Sequence, residues 1–224
     1  MNAIVYNVTT AALLVMTAAC GRALIGWDGN GIRGRRIPWV AVTLTALVVV
    51  GLVVQLTWSG AMDALDKDPA RSGWWRVITS VFMQNGGPWG DAWNVGTILV
   101  ITALAEWFWG RTLTVVLFVA AILLPHHIDT LLGLAKGPVE PRNFAGSSGA
   151  TYFLGATLVA PWLTRTRELK EWLLGVGAVA LGLAMWFVQD NAHGLVWVYG
   201  FVVGAVAWAS GHGHRRGTST LLLD

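Results

Sequence analysis

Two stretches of the chain hold residues that could do acyl chemistry. Residues 146–149 read Gly-Ser-Ser-Gly, and Tyr152 and Gly155 follow. Residues 190–193 read Asp-Asn-Ala-His, and Gly200 and Gly204 follow. A serine hydroxyl becomes a nucleophile when an imidazole within about 3 Å takes its proton. Both stretches lie in apolar runs. There a histidine is costly and marks function, whereas serine, glycine and alanine also line ordinary close helix contacts. Two readings follow: Ser148 packs while His193 bonds a neighbour, or the two form a nucleophile and its base.

Helix geometry favours the second reading. Ser148, Tyr152, Gly155 and Val159 share one helical face, as do His193, Gly200 and Gly204. Glycines on both faces allow the backbones to approach closely. Tyr152, one turn from Ser148, is expected to stack on the imidazole. Asn94 opens a third apolar run, where its amide and the backbone N–H of Ser148 could both donate to an oxyanion.

These residues need a frame, and the composition says which kind. Of 224 residues 55% are hydrophobic and 12% charged, half the charge density of a typical soluble domain at about 25%. With a mean hydropathy of +0.58, an ordinary soluble globule and a disordered chain are both excluded. The net charge of +3 gathers into no basic face, so nucleic acid is not an expected partner. The single cysteine, Cys20, excludes an internal disulfide or a thiolate zinc site.

A bilayer core of about 30 Å takes roughly 20 helical residues. Apolar runs of that order cover 1–21, 39–58, 94–109, 112–125 (extending towards 134), 143–163, 172–187 and 191–209. The expected fold is therefore all-α, a polytopic membrane bundle of about seven transmembrane helices. Trp39, Trp58, Trp89, Trp109 and Trp172 stand at run ends, where an interfacial belt would place them. The first run is not read as a signal peptide, because its basic residues follow it and none precedes it. His126, His127 and Asp129 could be a metal site, but adjacent residues diverge on a helix, and an interfacial loop is the favoured reading. No Walker loop, dinucleotide fingerprint or zinc-protease motif occurs, so neither a cofactor nor a metal is expected.

Between Trp74 and Gly204 the chain resembles the rhomboid intramembrane serine proteases. The resemblance rests on Trp75-Arg76, on Asn94 with Glu106 twelve residues later and Gly110 four beyond, on Gly146-Ser147-Ser148-Gly149 with Tyr152, and on Ala192-His193 with Gly200. It implies a six-helix core at 39–210, with Ser148 on its fourth helix and His193 on its sixth. Residues 1–38 are then an extra N-terminal helix with its basic loop, and 211–224 a basic tail. It further implies a dyad without aspartate, in which Ser148 rather than Ser147 is the nucleophile, His193 the base and Tyr152 its support. Arg76 and Glu106 would be structural, and the substrate would be a transmembrane protein in the lipid bilayer. Two positions depart from the pattern: Gly90 and Gln84 stand where relatives commonly carry histidines. Val196 also replaces a glycine three residues after His193.

Charge sets the expected orientation. With the N-terminus outside, ten Lys and Arg fall in inner loops and five in outer ones, as the positive-inside rule requires. A bacterial inner membrane fits this arrangement. A topology reporter fused before residue 1 is expected to map outside and one after Asp224 inside. Termini on the same side would contradict the odd helix count.

Overall fold

The computed structural model describes residues 3–26, 34–68, 70–131 and 145–211. Every regular element among them is an α-helix: α1 (Ala3–Leu24), α2 (Trp39–Thr57), α3 (Ala61–Leu65), α4 (Trp75–Thr79), α5 (Gly87–Trp109), α6 (Arg111–Leu131), α7 (Ser148–Ala156), α8 (Val159–Arg165), α9 (Leu169–Phe187) and α10 (Ala192–Ala209). Five of them, α1, α2, α5, α9 and α10, are long and apolar enough to cross a membrane. His126, His127 and Asp129 lie within α6 rather than in a loop, because the helix continues past Pro125 to Leu131; their side chains, and the 212–224 tail, lie outside the described part.

The two other runs expected to span take different forms. Helix α6 runs through Pro125 to Leu131, and its described side chains give an apolar stretch over Arg111–Pro125, shorter than a full span. The run at 143–163 is not one helix but the pair α7 and α8, and Pro161 accounts for the break. A helix needs the N–H of residue 161 to reach the carbonyl of Thr157, and proline has none to give. The chain tightens instead, and the Leu158 N–H bonds the carbonyl of Gly155 at 3.0 Å. Thr157 then fastens the break: its hydroxyl donates to the Leu154 carbonyl at 2.7 Å and accepts from Trp109 Nε1 at 3.0 Å. Trp109 is thus buried rather than part of an interfacial belt, whereas Trp39, Trp58, Trp89 and Trp172 are exposed.

Helix α7 lies at the centre, packed against α1, α5, α6 and α10, and every residue from Ala150 to Ala156 is buried. Helix α2 is the opposite case, burying only Ala41, Val48 and Gly51. Its exposed Val49, Val50, Val53 and Leu56 suit a hydrocarbon solvent, in which an apolar surface carries no cost. Among the described residues the expected arginine and glutamate both serve as ties. Glu106 Oε2 accepts from the Val40 and Ala41 N–H groups at 2.8 and 3.2 Å, and Oε1 pairs with Arg111 at 3.2 Å. Arg76 bonds the carbonyls of Asp63 and Asp66 at 3.0 and 3.1 Å and the Asp66 carboxylate at 3.4 Å, joining α3 to α4. Between Ser59 and Trp93, Trp74, Trp75 and Ile78 are exposed while Val81 and Met83 are buried.

The closest helix contact is that of α7 with α10. A Cβ at Gly200 would lie 2.1 Å from the Phe153 carbonyl oxygen, and one at Gly204 would lie 2.4 Å from Thr157 Cα. One at Gly149 would meet nothing within 4 Å. Gly200→Ala is therefore expected to cost about 1–3 kcal/mol, since two backbones must part. Gly149→Ala should leave the melting temperature unchanged or raised, because alanine favours helix over glycine. Thermal unfolding in detergent of the two variants side by side checks both.

Candidate active site

Ser148 is the first residue of α7. Gly146, at φ +143°, turns the chain into the helix and is held by its own N–H on the Ser80 carbonyl at 2.9 Å. At the start of a helix the N–H groups have no partner within it, so the Ser148 N–H is free of the helical ladder. His193 enters from α10. Its Nε2 lies 3.0 Å from Ser148 Oγ.

The other ring nitrogen, Nδ1, faces two oxygens. Asn191 caps α10, its Oδ1 accepting from the His193 backbone N–H at 3.0 Å. That bond fixes which end of the amide faces the histidine. The same Oδ1 is 3.2 Å from His193 Nδ1, and an amide oxygen can only accept. A proton on Nδ1 would meet that oxygen and leave Nε2 a lone pair for the Ser148 hydroxyl. The hydroxyl of Tyr6, on α1, is also within 3.0 Å of Nδ1. Tyr152 meets the imidazole edge-on, with ring centroids 4.8 Å apart and planes at 62°, instead of stacking on it. The reason is its hydroxyl, which donates to the Thr10 carbonyl at 2.6 Å and so points the ring at α1. The rival Ser147 is fully buried, and its Oγ has no partner among the described residues.

Asn94 does not open its helix. It sits two turns inside α5, which starts at Gly87 with Pro88 in the first turn, a position where the missing proline N–H costs nothing. Its Nδ2 donates to Gln84 Oε1 at 2.7 Å, leaving a second amide proton. Gln84 is buried. A Cβ built on Gly146 would lie 3.5 Å from Ser148 Oγ and 4.0 Å from Gln84 Oε1. The Gln84 amide and the serine thus border one small space that a side chain at position 146 would crowd, and Asn94 is joined to it through Gln84. Gly90, in the first turn of α5, contributes no side chain, and the position that would bear one is open.

Gln84 is held in turn by Gln55 of α2. The Gln55 amide accepts from the Gln84 N–H and donates to the Gln84 carbonyl, both at 2.7 Å, as a neighbouring strand would. Among the described residues the structure thus brings Ser148, His193, Tyr152, Asn94 and Gly146 together. Arg76 and Glu106 stand elsewhere as ties, and Gly200 and Gly204 set the helix spacing. Four residues were not singled out as site members by the sequence: Asn191, Gln55, Gln84 and Tyr6. Asn191 had a signal, an asparagine at a helix start two residues before the histidine. Gln84 was marked only by standing where relatives commonly carry a histidine, while Gln55 and Tyr6 act from distant segments and leave no local trace.

Gln55→Leu strips both backbone groups of Gln84 of their partners. It is expected to cost about 2 kcal/mol, the price of unsatisfied buried polar groups, read as a lower melting temperature, while Gln55→Glu should recover the bond from the Gln84 N–H. Compared with known proteins, the chain matches no family model, no curated protein and no solved structure.

Proposed function

We propose that this chain is a rhomboid-type intramembrane serine protease that hydrolyses peptide bonds of transmembrane proteins. The observation that carries the reading is the 3.0 Å approach of His193 Nε2 to Ser148 Oγ, with Nδ1 turned to an acceptor that leaves Nε2 free to take a proton. Ser148 Oγ attacks the scissile carbonyl carbon and its proton passes to Nε2. The oxyanion takes hydrogen bonds from the Ser148 N–H and from the Asn94 proton that Gln84 does not use. Collapse breaks the C–N bond, and the leaving amine takes the proton from Nε2. Water then attacks the ester, Nε2 accepts its proton and returns it to Ser148 Oγ as the acid leaves.

The setting supports a substrate drawn from the bilayer. An apolar cavity of about 310 Å³ lies between α1 and α5, lined by Leu14, Val15, Trp93, Val100 and Ile101 among others. It borders the helix that carries Asn94. Such a surface accepts aliphatic side chains of a membrane-spanning segment.

A second reading has its own observation. The Asn94 amide is engaged by Gln84, and Gly90 offers no donor, so the oxyanion site is weaker than a pair of dedicated side chains would make it. A rhomboid-like protein that binds and regulates membrane segments without cutting them would have that property. A fluorophosphonate probe and a model transmembrane substrate separate the two. The protease is expected to label at Ser148, to lose labelling and turnover in Ser148→Ala, and to keep both in Ser147→Ala. Asn94→Ala should slow it roughly a hundred- to thousandfold, as loss of one oxyanion donor does. Wild-type protein that neither labels nor cuts belongs to the second reading.

A further inference from the structure

Helix α1 stands before the six helices that the resemblance implies, and nothing in that resemblance gives it a role at the site. Its contacts do. Tyr6, Thr10, Leu13 and Thr17 follow one another at helical spacings of four, three and four, forming one stripe. Each of them meets the site or its scaffold. The Tyr6 hydroxyl lies 3.0 Å from His193 Nδ1. The Thr10 carbonyl accepts from the Tyr152 hydroxyl at 2.6 Å. Leu13 is fully buried. The Thr17 hydroxyl accepts from Trp197 Nε1 at 3.0 Å, on the helix that carries His193. Beside the stripe, Thr9 donates to Gln189 at 3.0 Å. A Cβ at Gly155 would lie 2.8 Å from Thr17 Cγ2, so α1 and α7 are pressed together. The register of α1 against α7 and α10 is thus fixed at several levels, and Tyr6 is the member that reaches the imidazole.

We propose that α1 completes the active site, with Tyr6 as a positioning residue that holds the Nδ1 proton of His193 together with Asn191. This rests on the protease reading for its catalytic meaning, though not for its geometry. The Nδ1 proton has two oxygens within reach, Tyr6 Oη at 3.0 Å and Asn191 Oδ1 at 3.2 Å. The Asn191 oxygen is already shared with the His193 backbone N–H, and the phenol oxygen offers the Nδ1 proton a second acceptor at 3.0 Å. When Nε2 takes the serine proton, the ring becomes a cation, and its Nδ1–H stays between the two oxygens. A neutral oxygen is a cheaper partner to keep in an apolar site than a buried carboxylate, whose desolvation is severe. The Tyr6 ring also flanks the imidazole, with centroids 6.1 Å apart and planes at 73°, opposing rotation out of line with Ser148.

The test uses the full chain in phospholipid nanodiscs, labelled with 15N-histidine, with His193→Gln to assign the signal. In wild type, His193 is expected to show a protonated Nδ1 and a bare Nε2. Tyr6→Phe keeps the ring and removes only the hydroxyl. It should move the Nδ1 proton signal and mix the two tautomers, while fluorophosphonate labelling of Ser148 slows about three- to tenfold, the size of one lost hydrogen bond. Identical histidine signals and labelling rates in wild type and Tyr6→Phe would overturn the role of Tyr6 and leave the protease reading standing. Wild type that never labels, with a tautomer that still responds to Tyr6→Phe, overturns the protease reading and upholds the contact. If Tyr6→Phe does not fold, the unmodified chain decides: a through-space signal between the His193 Nδ1 proton and the Tyr6 ring must appear, and its absence refutes the proposal.

Discussion

Everything at the site depends on two helices touching through their backbones. Gly200 and Gly204 let α10 lie directly on the Phe153 and Thr157 segments of the α7 region. With any larger residue the helix axes would separate by the width of a side chain. The hydrogen bond between Ser148 and His193 has a tolerance of a few tenths of an ångström, so it cannot survive such a shift. The spacing therefore comes from residues with no side chain, and the two functional groups stand where that spacing puts them. Gly194 and Gly182 repeat the device between α9 and α10, where added Cβ atoms would fall 2.6 Å from the Trp186 nitrogen and 2.8 Å from the Trp197 ring. Gly194 thus makes a close contact near the point where Val196 departs from the expected pattern.

A second constraint is the scarcity of water. In an apolar bundle each polar atom needs a partner in the protein, and here the partners are mostly other site residues. Gln55 stands in for a missing strand beside Gln84, Gln84 takes one proton of Asn94, Asn191 caps α10 and orients His193, and Tyr152 closes onto α1. These groups form two connected sets, Gln55 with Gln84 and Asn94, and Asn191 with His193 and Ser148, and removing a member leaves its neighbour in the set unsatisfied as well. Ser147 Oγ and Asn191 Nδ2 are exceptions, buried and without partners among the described residues.

The sequence made the spine of this arrangement legible, because a single period carries it. Apolar runs of membrane length, the Gly-x-Ser-Gly stretch, and His193 with glycines at seven and eleven can all be read along one helix at a time. Ser148 meeting His193 follows from those faces. What could not be read lies between segments. Gln84 looks like the loss of a histidine until the Gln55 amide and Asn94 are placed against it. The edge-on approach of Tyr152 depends on a carbonyl of α1, 142 residues away. The break after α7 was locally visible in Pro161, yet the apolar run masked it, since composition weighs length and ignores a missing donor. Trp109 looked like an interfacial residue because it ends a run, but its indole N–H found Thr157 inside.

Glu106 carries a consequence for the order in which the chain is made. Helix α2 begins after Pro38, and no side chain of its own caps its first turn. The Val40 and Ala41 N–H groups are met by a carboxylate 66 and 65 residues downstream. A ribosome delivers α2 before α5, so for the time it takes to synthesise that interval the start of α2 has no such acceptor. The arrival of α5 supplies it. The first turn of an early helix is thus completed by a residue of a later one.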